Sequence, residues 1–243
     1  MSFDGATVCV TGGSRGIGKV IALRFAELGA ARVAIGYMRN DRAAEETAEE
    51  LRELGSEAVL VRGNVASGRV AGEVGELAPS ILVHSAATGV IRSALETEDK
   101  HWDWTHAANA RALLSLSRAA APSMAEGSSI VAVSSLGSTR VLENYVLVGT
   151  SKAALESLVR YLGVELAPRI RVNAVSAGVV DTGALEYFPN RDEMLRAGRE
   201  RTPAGRLVEP KDIADAVVFL CSPQAAMVCG HTLIVDGGFS LPA

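Results

Sequence analysis

Cysteine is scarce in this 243-residue chain, and the three that occur, Cys9, Cys221 and Cys229, are odd in number. Cys9 and Cys221 lie in apolar runs, so we expect buried, reduced thiols of a reducing compartment and no disulfide framework. No apolar run approaches the ~20 residues that a membrane-spanning helix needs. The first five residues lack the basic segment of a signal peptide. These absences together predict a soluble, cytoplasmic protein.

An excess of positive charge is also missing. The chain has 24 Lys and Arg against 28 Asp and Glu, which gives a net charge of −4 and a pI near 5.7. A protein that binds nucleic acid or anionic membranes usually shows the opposite balance, so we expect neither as the main partner. No metal site is predicted. With 48% hydrophobic and 21% charged residues, the chain is expected to fold around a sizeable core.

Short apolar runs alternate with longer segments of helical periodicity from one end of the chain to the other. This alternation is typical of a parallel sheet covered by helices on both faces. The sequence therefore predicts one α/β domain over residues 1–243, with a doubly wound (Rossmann) parallel sheet. The predicted strands are 7–10, 32–37, 58–61, 81–85, 129–134, 171–176 and 232–235. The predicted helices are 12–28, 41–54, 67–77, 97–124 (with Thr97 as its cap), 148–167, 191–201 and 212–221.

A glycine-rich segment, Thr11-Gly12-Gly13-Ser14-Arg15-Gly16-Ile17-Gly18, follows the first strand and opens the first helix. Glycines at such a place allow a tight turn and let a pyrophosphate approach the free N–H groups of the helix N-terminus. A plain tight turn is the alternative interpretation. The position between a strand and a helix, at the start of a βα series, favours dinucleotide binding.

The end of the second strand indicates which dinucleotide is bound. A carboxylate there binds the 2′-hydroxyl of NAD, whereas a cation favours the 2′-phosphate of NADP. Here Arg39 follows the strand and no acid occurs before Asp41. Arg39, assisted by Arg15 of the glycine-rich segment, therefore predicts NADP(H). The alternative is that Arg39 is a solvated charge at a helix start.

A serine, a tyrosine and a lysine follow the fifth predicted strand. Seven residues, nearly two helical turns, separate Tyr145 from Lys152, so both can share one helix face if Tyr145 lies at the helix start. An ammonium near a phenol stabilises the phenolate and improves proton transfer near neutral pH. Ser135 either binds a substrate carbonyl or satisfies backbone groups at the strand end.

Together with the glycine-rich segment, several motifs resemble the short-chain dehydrogenase/reductase superfamily over residues 6–240. They are Asn64-Val65, Asn109, the Ser/Tyr/Lys set, Ala177-Gly178-Val179-Val180-Asp181-Thr182 and Val235-Asp236-Gly237-Gly238. Four further stretches resemble the FabL type of NADPH-dependent enoyl-acyl-carrier-protein reductase. They are His101-Trp102-Asp103-Trp104, Ser135-Leu136-Gly137-Ser138, Leu142-Glu143-Asn144-Tyr145 and Phe188-Pro189-Asn190-Arg191.

The resemblance implies a role for individual residues. The catalytic set would be Tyr145, Lys152, Ser135 and Asn109, with Asn109 organising a water relay to the lysine. The residues that would contact NADP(H) are Gly12, Ser14, Arg15, Ile17, Gly18, Arg39, Asn64, Val65, Ser85, Ala86, Ala87, Lys152, Gly178, Val180 and Thr182. His84, where many superfamily members carry asparagine, is interpreted as a hydrogen-bonded packing residue.

The spacing of tyrosine and lysine bears on the reaction. The commonest superfamily pattern is Tyr-x3-Lys, but here Val148 stands four residues before Lys152 and Tyr145 seven before it. A donor moved three residues, roughly 4.5 Å along a helix, fits reduction of a 2-enoyl thioester, in which charge develops on an oxygen remote from the β-carbon. Enoyl reduction is the leading hypothesis. The alternatives are a carbonyl reductase or alcohol dehydrogenase and a catalytically idle NADP-binding sensor or scaffold.

The substrate and partners are predicted from the second half of the chain. The expected substrate is an acyl thioester, carried by coenzyme A or an acyl carrier protein. An insert at 183–206 is expected to form a lid over the substrate. The resemblance also implies a dimer or tetramer, formed through helices 97–124 and 148–167. The lid arginines that would meet an acidic carrier are Arg191, Arg196, Arg199, Arg201 and Arg206. The alternative interpretation of this segment is a solvated amphipathic helix. The residues that would line an acyl pocket are Val141, Leu142, Leu185, Tyr187 and Phe188.

Overall fold

The alternation of apolar runs produces a parallel sheet in this computed structural model, which describes residues 1–183, 185–188 and 190–241, except for the side chain of Tyr187. The strands within this part of the chain are β1 Thr7–Thr11, β2 Arg32–Tyr37, β3 Glu57–Arg62, β4 Ile81–His84, β5 Ser128–Ser135, β6 Ile170–Ala177 and β7 Thr232–Val235. They pair in parallel in the order β3-β2-β1-β4-β5-β6-β7. The order reverses between β1 and β4, the switch point at which a doubly wound sheet binds its ligand.

Helices cover both faces of this sheet. They are α1 Gly16–Glu27, α2 Asp41–Glu53, α3 Gly68–Glu76, α4 Asp99–His106, α5 Ala112–Ala120, α6 Val146–Leu166, α7 Arg191–Arg201 and α8 Pro210–Cys221. Local signals set their ends: Asn40 Oδ1 accepts from Ala43 N at 3.0 Å to cap α2, and Gly55 follows its last turn with a φ of +90°. None of the described helices combines the length and apolar character needed to cross a bilayer.

Alternate residues of each strand enter two separate cores. On one face Val8 and Val10 of β1 pack with Phe25 of α1 and Val217 of α8, all fully buried. On the other face Cys9 packs among residues of α3, α5 and α6. Burial raises the pKa of the Cys9 thiol to about 12, and that of the Cys221 thiol to about 12 as well. Both cysteines are therefore inert core residues, as the apolar runs around them predicted.

The single long helix predicted over 97–124 is wrong in its start and its continuity. Glu98, not Thr97, precedes α4, and its backbone N–H donates to His101 Nδ1 at 3.1 Å in a capping box. Thr97 instead donates its hydroxyl to Ala94 O at 2.8 Å. Between α4 and α5 the chain forms one π-helical turn, Ala107–Arg111. Such turns interrupt helices frequently at functional sites, and this one contains the buried Asn109.

Helix α6 begins two residues earlier than predicted. Val146 is its first residue and Tyr145 its N-cap. The tyrosine therefore lies at the helix start, which is the condition for sharing a helix face with Lys152. The predicted strands agree with the observed ones to within one or two residues at each end.

Candidate active site

The glycine-rich segment forms an open turn between β1 and α1. Gly12 has a φ of +69° and Gly16 a φ of +55°, which disfavour any other residue. A side chain on Gly12 would come within 2.9 Å of Ala86 Cα. Arg15, the N-cap of α1, makes no side-chain capping bond, and the first turn has no acidic residue. This helix N-terminus therefore fits the pyrophosphate of a dinucleotide.

The other residues of this segment support the turn. The side chain of Ser14 is buried, and its carbonyl accepts the Thr47 hydroxyl at 3.3 Å. A side chain on Gly18 would collide with the Gly12 carbonyl, so helix and turn pack closely only with glycine there. Ile17 packs partly buried on the core beneath. The structure thus brings the predicted pyrophosphate residues together.

The predicted adenosine-side residues follow strands at the same edge of the sheet. Asn64, after β3, accepts from Ala66 N through Oδ1 at 3.0 Å, and Val65 beside it is half-buried. Arg15 and Arg39 are both exposed, and within the described residues neither takes part in a salt bridge. Both guanidinium groups are therefore available to an anionic ligand at this end of the site.

The segment after β4 also borders the glycine-rich turn. Ala86 N donates to Thr11 Oγ1 at 3.2 Å, which fixes this segment against the end of β1. Ser85 and Ala86 are half-buried and Ala87 is exposed. The backbone of Ser85 and Ala86 therefore forms one wall beside Gly12.

The segment after β6 reaches the glycine-rich turn from the other side. Gly178 N donates to Val235 O at 3.0 Å, and a side chain at Gly178 would approach Asp236 Cα to 2.9 Å. Val180 is buried and forms an isolated parallel β-bridge with Val208. Thr182 Cβ lies 3.9 Å from the point that a Gly16 Cβ would occupy. Thr182 therefore lies over the start of α1, where it could contact a bound dinucleotide.

The Tyr145 ring packs closely against two glycines. A Cβ on Gly137 would lie 2.5 Å from the ring, and one on Gly149 would lie 3.6 Å from it. The Tyr145 hydroxyl donates to Ser135 Oγ at 3.4 Å, and Ser135 Oγ also accepts from Gly137 N at 3.2 Å. Ser135 thus satisfies the strand-end backbone and also faces the phenol; that it binds a substrate carbonyl stays a prediction.

Burial raises the pKa of the Tyr145 phenol, against a smaller opposing effect of the Ser135 hydrogen bond. Lys152 is not among the groups that shift this pKa, so the structure does not bear out the expected stabilisation of the phenolate by the lysine. The Lys152 ammonium, itself 4% exposed, donates to Val133 O at 2.7 Å. Tyr145 is therefore a protonated hydrogen-bond donor at neutral pH.

Burial also lowers the pKa of Lys152 to about 8, and the negative charge of Glu156 opposes the shift. A lysine with a pKa of about 8 is mostly charged at pH 7 but close to its titration point. Such perturbed groups cluster in active sites.

Asn109 joins three elements through its amide. Oδ1 accepts from Thr88 N at 2.9 Å, and Nδ2 donates to Thr88 O at 2.9 Å and to Ser151 Oγ at 2.8 Å. Both amide hydrogens are thereby used on protein atoms, so the side chain acts as a tether. The water relay implied by the resemblance stays a prediction.

His84 connects Asn109 to the nucleotide end of the site. Its Nε2 lies 3.1 Å from Asn109 O and its Nδ1 lies 2.9 Å from Thr11 Oγ1. Because a carbonyl only accepts, Nε2 carries the proton and Nδ1 accepts from the hydroxyl. Burial, with a smaller effect of the Lys152 charge, lowers the pKa of His84 to about 4. The prediction that His84 is a hydrogen-bonded packing residue is confirmed.

Known proteins resemble this chain along almost its entire length. Residues 12–240 match the family described as enoyl-(acyl carrier protein) reductase. A short-chain dehydrogenase of Burkholderia cenocepacia, solved in complex with NADP, superposes with a TM-score of 0.91 at 32% identity and covers 98% of this chain and 99% of that one. The chain belongs to the short-chain dehydrogenase/reductase superfamily and is an oxidoreductase.

Two relatives within this superfamily have different named substrates. The 1-cyclohexenylcarbonyl-CoA reductase of Streptomyces collinus is 36% identical, over 96% of this chain and 86% of its own length. The galactitol 2-dehydrogenase of Cereibacter sphaeroides is also 36% identical, over 98% of this chain and 96% of its own. Membership of the superfamily therefore leaves the substrate open.

Sequence reasoning missed one buried acid of this oxidoreductase. Glu156, 7% exposed, accepts from the Ser134 hydroxyl through Oε1 at 2.5 Å. Its position four residues after Lys152 places both side chains on one face of α6. That i,i+4 spacing was the signal in the sequence.

Two of the lid arginines are engaged inside the chain. Arg191 donates to Asp181 at 2.9 Å, and Arg206 forms a bidentate pair with Asp212 at 2.6 and 2.8 Å. The Arg206 guanidinium holds the pKa of the Asp212 carboxyl below its usual range. The predicted carrier-binding charge is therefore reduced to the exposed arginines of α7, which are Arg196, Arg199 and Arg201.

A cavity of about 500 Å³ opens beside the Tyr145 ring. Val141 and Leu142 line it, as the predicted acyl pocket requires. Phe188 lies on the Tyr145 ring with 5.7 Å between centroids, whereas Leu185 is buried. The side chain of Tyr187 lies outside the described residues.

Proposed function

We propose that the protein is an NADPH-dependent reductase of 2-enoyl thioesters carried by coenzyme A or an acyl carrier protein. The observation that carries the proposal is the place of the phenol. Tyr145 stands at the start of α6, three positions before Val148, and its hydroxyl lies 3.4 Å from Ser135 Oγ at the end of β5. Three residues correspond to about 4.5 Å of helix, which suits an oxygen three bonds away from the reduced carbon instead of the single bond of a ketone.

The cofactor proposed for this site is NADP(H), which supplies the hydride for the β-carbon when bound. Gly12, Ser14 and Gly16 would receive the pyrophosphate at the open start of α1. Arg15 and Arg39 would meet the 2′-phosphate, because guanidinium groups bind phosphate bidentately. The NADP complex of the Burkholderia relative supports this choice.

Tyr145 and Lys152 would divide the handling of charge between them. The buried phenol stays protonated at neutral pH and donates to the thioester oxygen as negative charge develops there. A donor preorganised in a buried site stabilises such an oxyanion strongly. The Lys152 ammonium, held on Val133 O, supplies positive charge to the same end of β5. The enolate that is left after hydride addition takes up a proton from solvent water at its α-carbon, which completes the reduction.

Carbonyl reduction is the second candidate. The direct Tyr145–Ser135 hydrogen bond favours it, because a hydroxyl pair can bind one carbonyl oxygen. The galactitol 2-dehydrogenase among the relatives points the same way, whereas the 1-cyclohexenylcarbonyl-CoA reductase supports the enoyl proposal.

The deciding experiment measures NADPH oxidation with matched thioesters of one chain length on one carrier, one 2-enoyl and one 3-oxoacyl. We expect kcat/KM for the enoyl substrate to exceed that for the oxo substrate by at least about a hundredfold. Turnover of the oxo substrate alone would select the carbonyl reductase. Tight NADPH binding without turnover of either substrate would indicate a sensor or scaffold.

The lid and the assembly belong to the same proposal. Residues 183–206 would cover the substrate mouth of a single domain, with α7 presenting Arg196 and Arg199 to an acidic carrier. Reversing both charges should weaken turnover of the carrier-bound substrate and spare a pantetheine thioester. A dimer or tetramer would pack through the exposed Trp102 of α4 and Val164 of α6. Light scattering of Val164→Glu, with a decrease in mass expected, tests this interface.

A further inference from the structure

We propose that Glu156 is a positioning residue of this site, which keeps the Lys152 side chain charged and directed at the end of β5. This inference rests on the proposed function in one respect only, namely the catalytic role given to the positive charge of Lys152. The supporting observation is geometric. Lys152 and Glu156 are two buried side chains of opposite charge on one face of α6, and each is hydrogen-bonded to one of two consecutive residues of β5.

The anchoring points are on β5. Lys152 Nζ donates to the carbonyl of Val133 at 2.7 Å, and Glu156 Oε1 accepts from the hydroxyl of Ser134 at 2.5 Å. The two side chains, one helical turn apart, are 4% and 7% exposed. Their charges therefore lie near each other out of solvent, each with its own hydrogen bond.

A buried carboxylate requires a compensating positive charge. Within the described residues Glu156 has no direct salt-bridge partner within 4.0 Å, so the Lys152 ammonium supplies that compensation at somewhat longer range. The dependence is mutual, because a buried ammonium is equally costly when its counter-charge is removed.

The other titratable groups packed around Lys152 do not replace Glu156. His84, on β4, is buried and neutral, since its pKa is about 4. Tyr145, at the start of the same helix, keeps its proton because burial raises its pKa. Ser134 and Ser135, on β5, carry no charge. Glu156 is therefore the anionic group near the ammonium in the described part of the chain.

The size of the effect follows from Coulomb's law. Two unit charges ~6 Å apart, the usual i,i+4 separation, interact at an effective dielectric constant of ~20 strongly enough to shift a pKa by about two units. With Glu156 in place the pKa of Lys152 is about 8. Without its charge the pKa falls further, so the lysine loses its proton within the neutral range.

The test compares Glu156→Gln with a matched variant, Glu165→Gln, which removes an exposed carboxylate from the same helix. Glutamine keeps an acceptor for the Ser134 hydroxyl. The chain contains only four lysines, Lys19, Lys100, Lys152 and Lys211, so labelling lysine with ¹³C at Cε gives an NMR spectrum in which each can be titrated. Lys152→Arg identifies the signal of interest.

We expect the Lys152 signal to titrate near pH 8 in the wild type and Glu165→Gln, and about one to two units lower in Glu156→Gln. Glu156→Asp keeps the negative charge, so the pKa of Lys152 in this variant should return most of the way to its wild-type value. In steady-state assays kcat of Glu156→Gln should be about five- to fiftyfold lower at pH 8, because a smaller fraction of Lys152 is charged, and within about threefold of wild type at pH 6. The NADPH dissociation constant at pH 6 is the check on folding.

An unchanged Lys152 titration in Glu156→Gln would overturn the proposal, as would a loss of kcat that is uniform from pH 6 to pH 8. Glu156→Ala provides a second uncharged variant if the glutamine variant does not fold. The NMR titration needs no substrate. If it shifts as expected while no enoyl thioester is turned over, the role of Glu156 stands and the proposed function fails.

Discussion

Replacement of Tyr145 by phenylalanine tests the central step of the proposed reaction. The change removes one hydroxyl and keeps the ring between Gly137 and Gly149. In the folded protein that hydroxyl makes one long hydrogen bond, 3.4 Å to Ser135 Oγ. Because so long a contact contributes little, we expect the free energy of unfolding to fall by less than about 1 kcal/mol.

The loss in catalysis should be much larger. A single preorganised donor to a developing oxyanion contributes about a hundred- to a thousandfold to kcat, or about 2.7–4 kcal/mol. Single-turnover NADPH oxidation with the 2-enoyl thioester measures this loss in the chemical step. The binding constant of NADPH should stay unchanged, since the hydroxyl is at the substrate end of the site.

Tyr161→Phe is the matched control, because Tyr161 lies on the same helix and is 67% exposed. It should leave both kcat and stability at the wild-type value. A decrease of less than about tenfold in Tyr145→Phe, at saturating substrate, would refute the assignment of the phenol as the oxyanion donor. So would loss of 3-oxoacyl reduction with enoyl reduction retained.

Three further predictions concern the cofactor, the glycine beside the phenol and the buried histidine. Arg39→Ala should raise KM for NADPH about tenfold and leave KM for NADH unchanged. Gly137→Ala places a Cβ 2.5 Å from the Tyr145 ring and should lower kcat about ten- to a hundredfold by displacing it. The third concerns His84, whose pKa in the folded protein is about 4. Between pH 6.5 and pH 4 this histidine takes up a proton in the unfolded chain but not in the folded one, so the free energy of unfolding decreases as the pH falls through this range. In His84→Gln that decrease should be smaller by about 3 kcal/mol.

Each of these three has a control of the same kind. Arg52→Ala removes an exposed guanidinium from the last turn of α2 and should not change the NADPH/NADH ratio. Gly72→Ala adds a methyl group where nothing lies within 4 Å, so kcat should stay constant. His231→Gln alters an exposed histidine. When urea unfolding is measured at several pH values, its free energy of unfolding should change with pH as it does in the wild type. Equal effects in variant and control would contradict the corresponding prediction.

The strands were predictable because they are buried on both faces, so that Val8, Cys9 and Val10 form one apolar run. The interruption of the helix at Ala107–Arg111, by contrast, could not be predicted from the sequence. A π-helical turn has no compositional signature, and its cause lies elsewhere in the fold, where the amide of Asn109 bonds both backbone groups of Thr88.

At the site, residue types were easier to predict than their protonation. The Tyr145–Lys152 spacing suggested a phenol activated by an ammonium, yet burial raises the pKa of Tyr145 and Lys152 donates to a backbone carbonyl. Desolvation depends on what surrounds a group in three dimensions, which one sequence does not display. The role of Glu156 was missed for the same reason, since its burial against Ser134 follows from how α6 packs on β5.

The structure also gives a physical reason why the phenol cannot act from the commoner position, four residues before Lys152. That position is Val148, which is 6% exposed. Its side chain lies so close to Gly89 that a Cβ on residue 89 would collide with Val148 Cγ2. Gly89 adjoins Thr88, which Asn109 holds by two hydrogen bonds. A tyrosine at 148 would have to displace this tethered segment. The position that would serve a ketone is thus filled by packing. Tyr145 is left as the phenol that would face the substrate, in keeping with the proposed reduction of an enoyl thioester, whose oxygen is more distant from the reduced carbon.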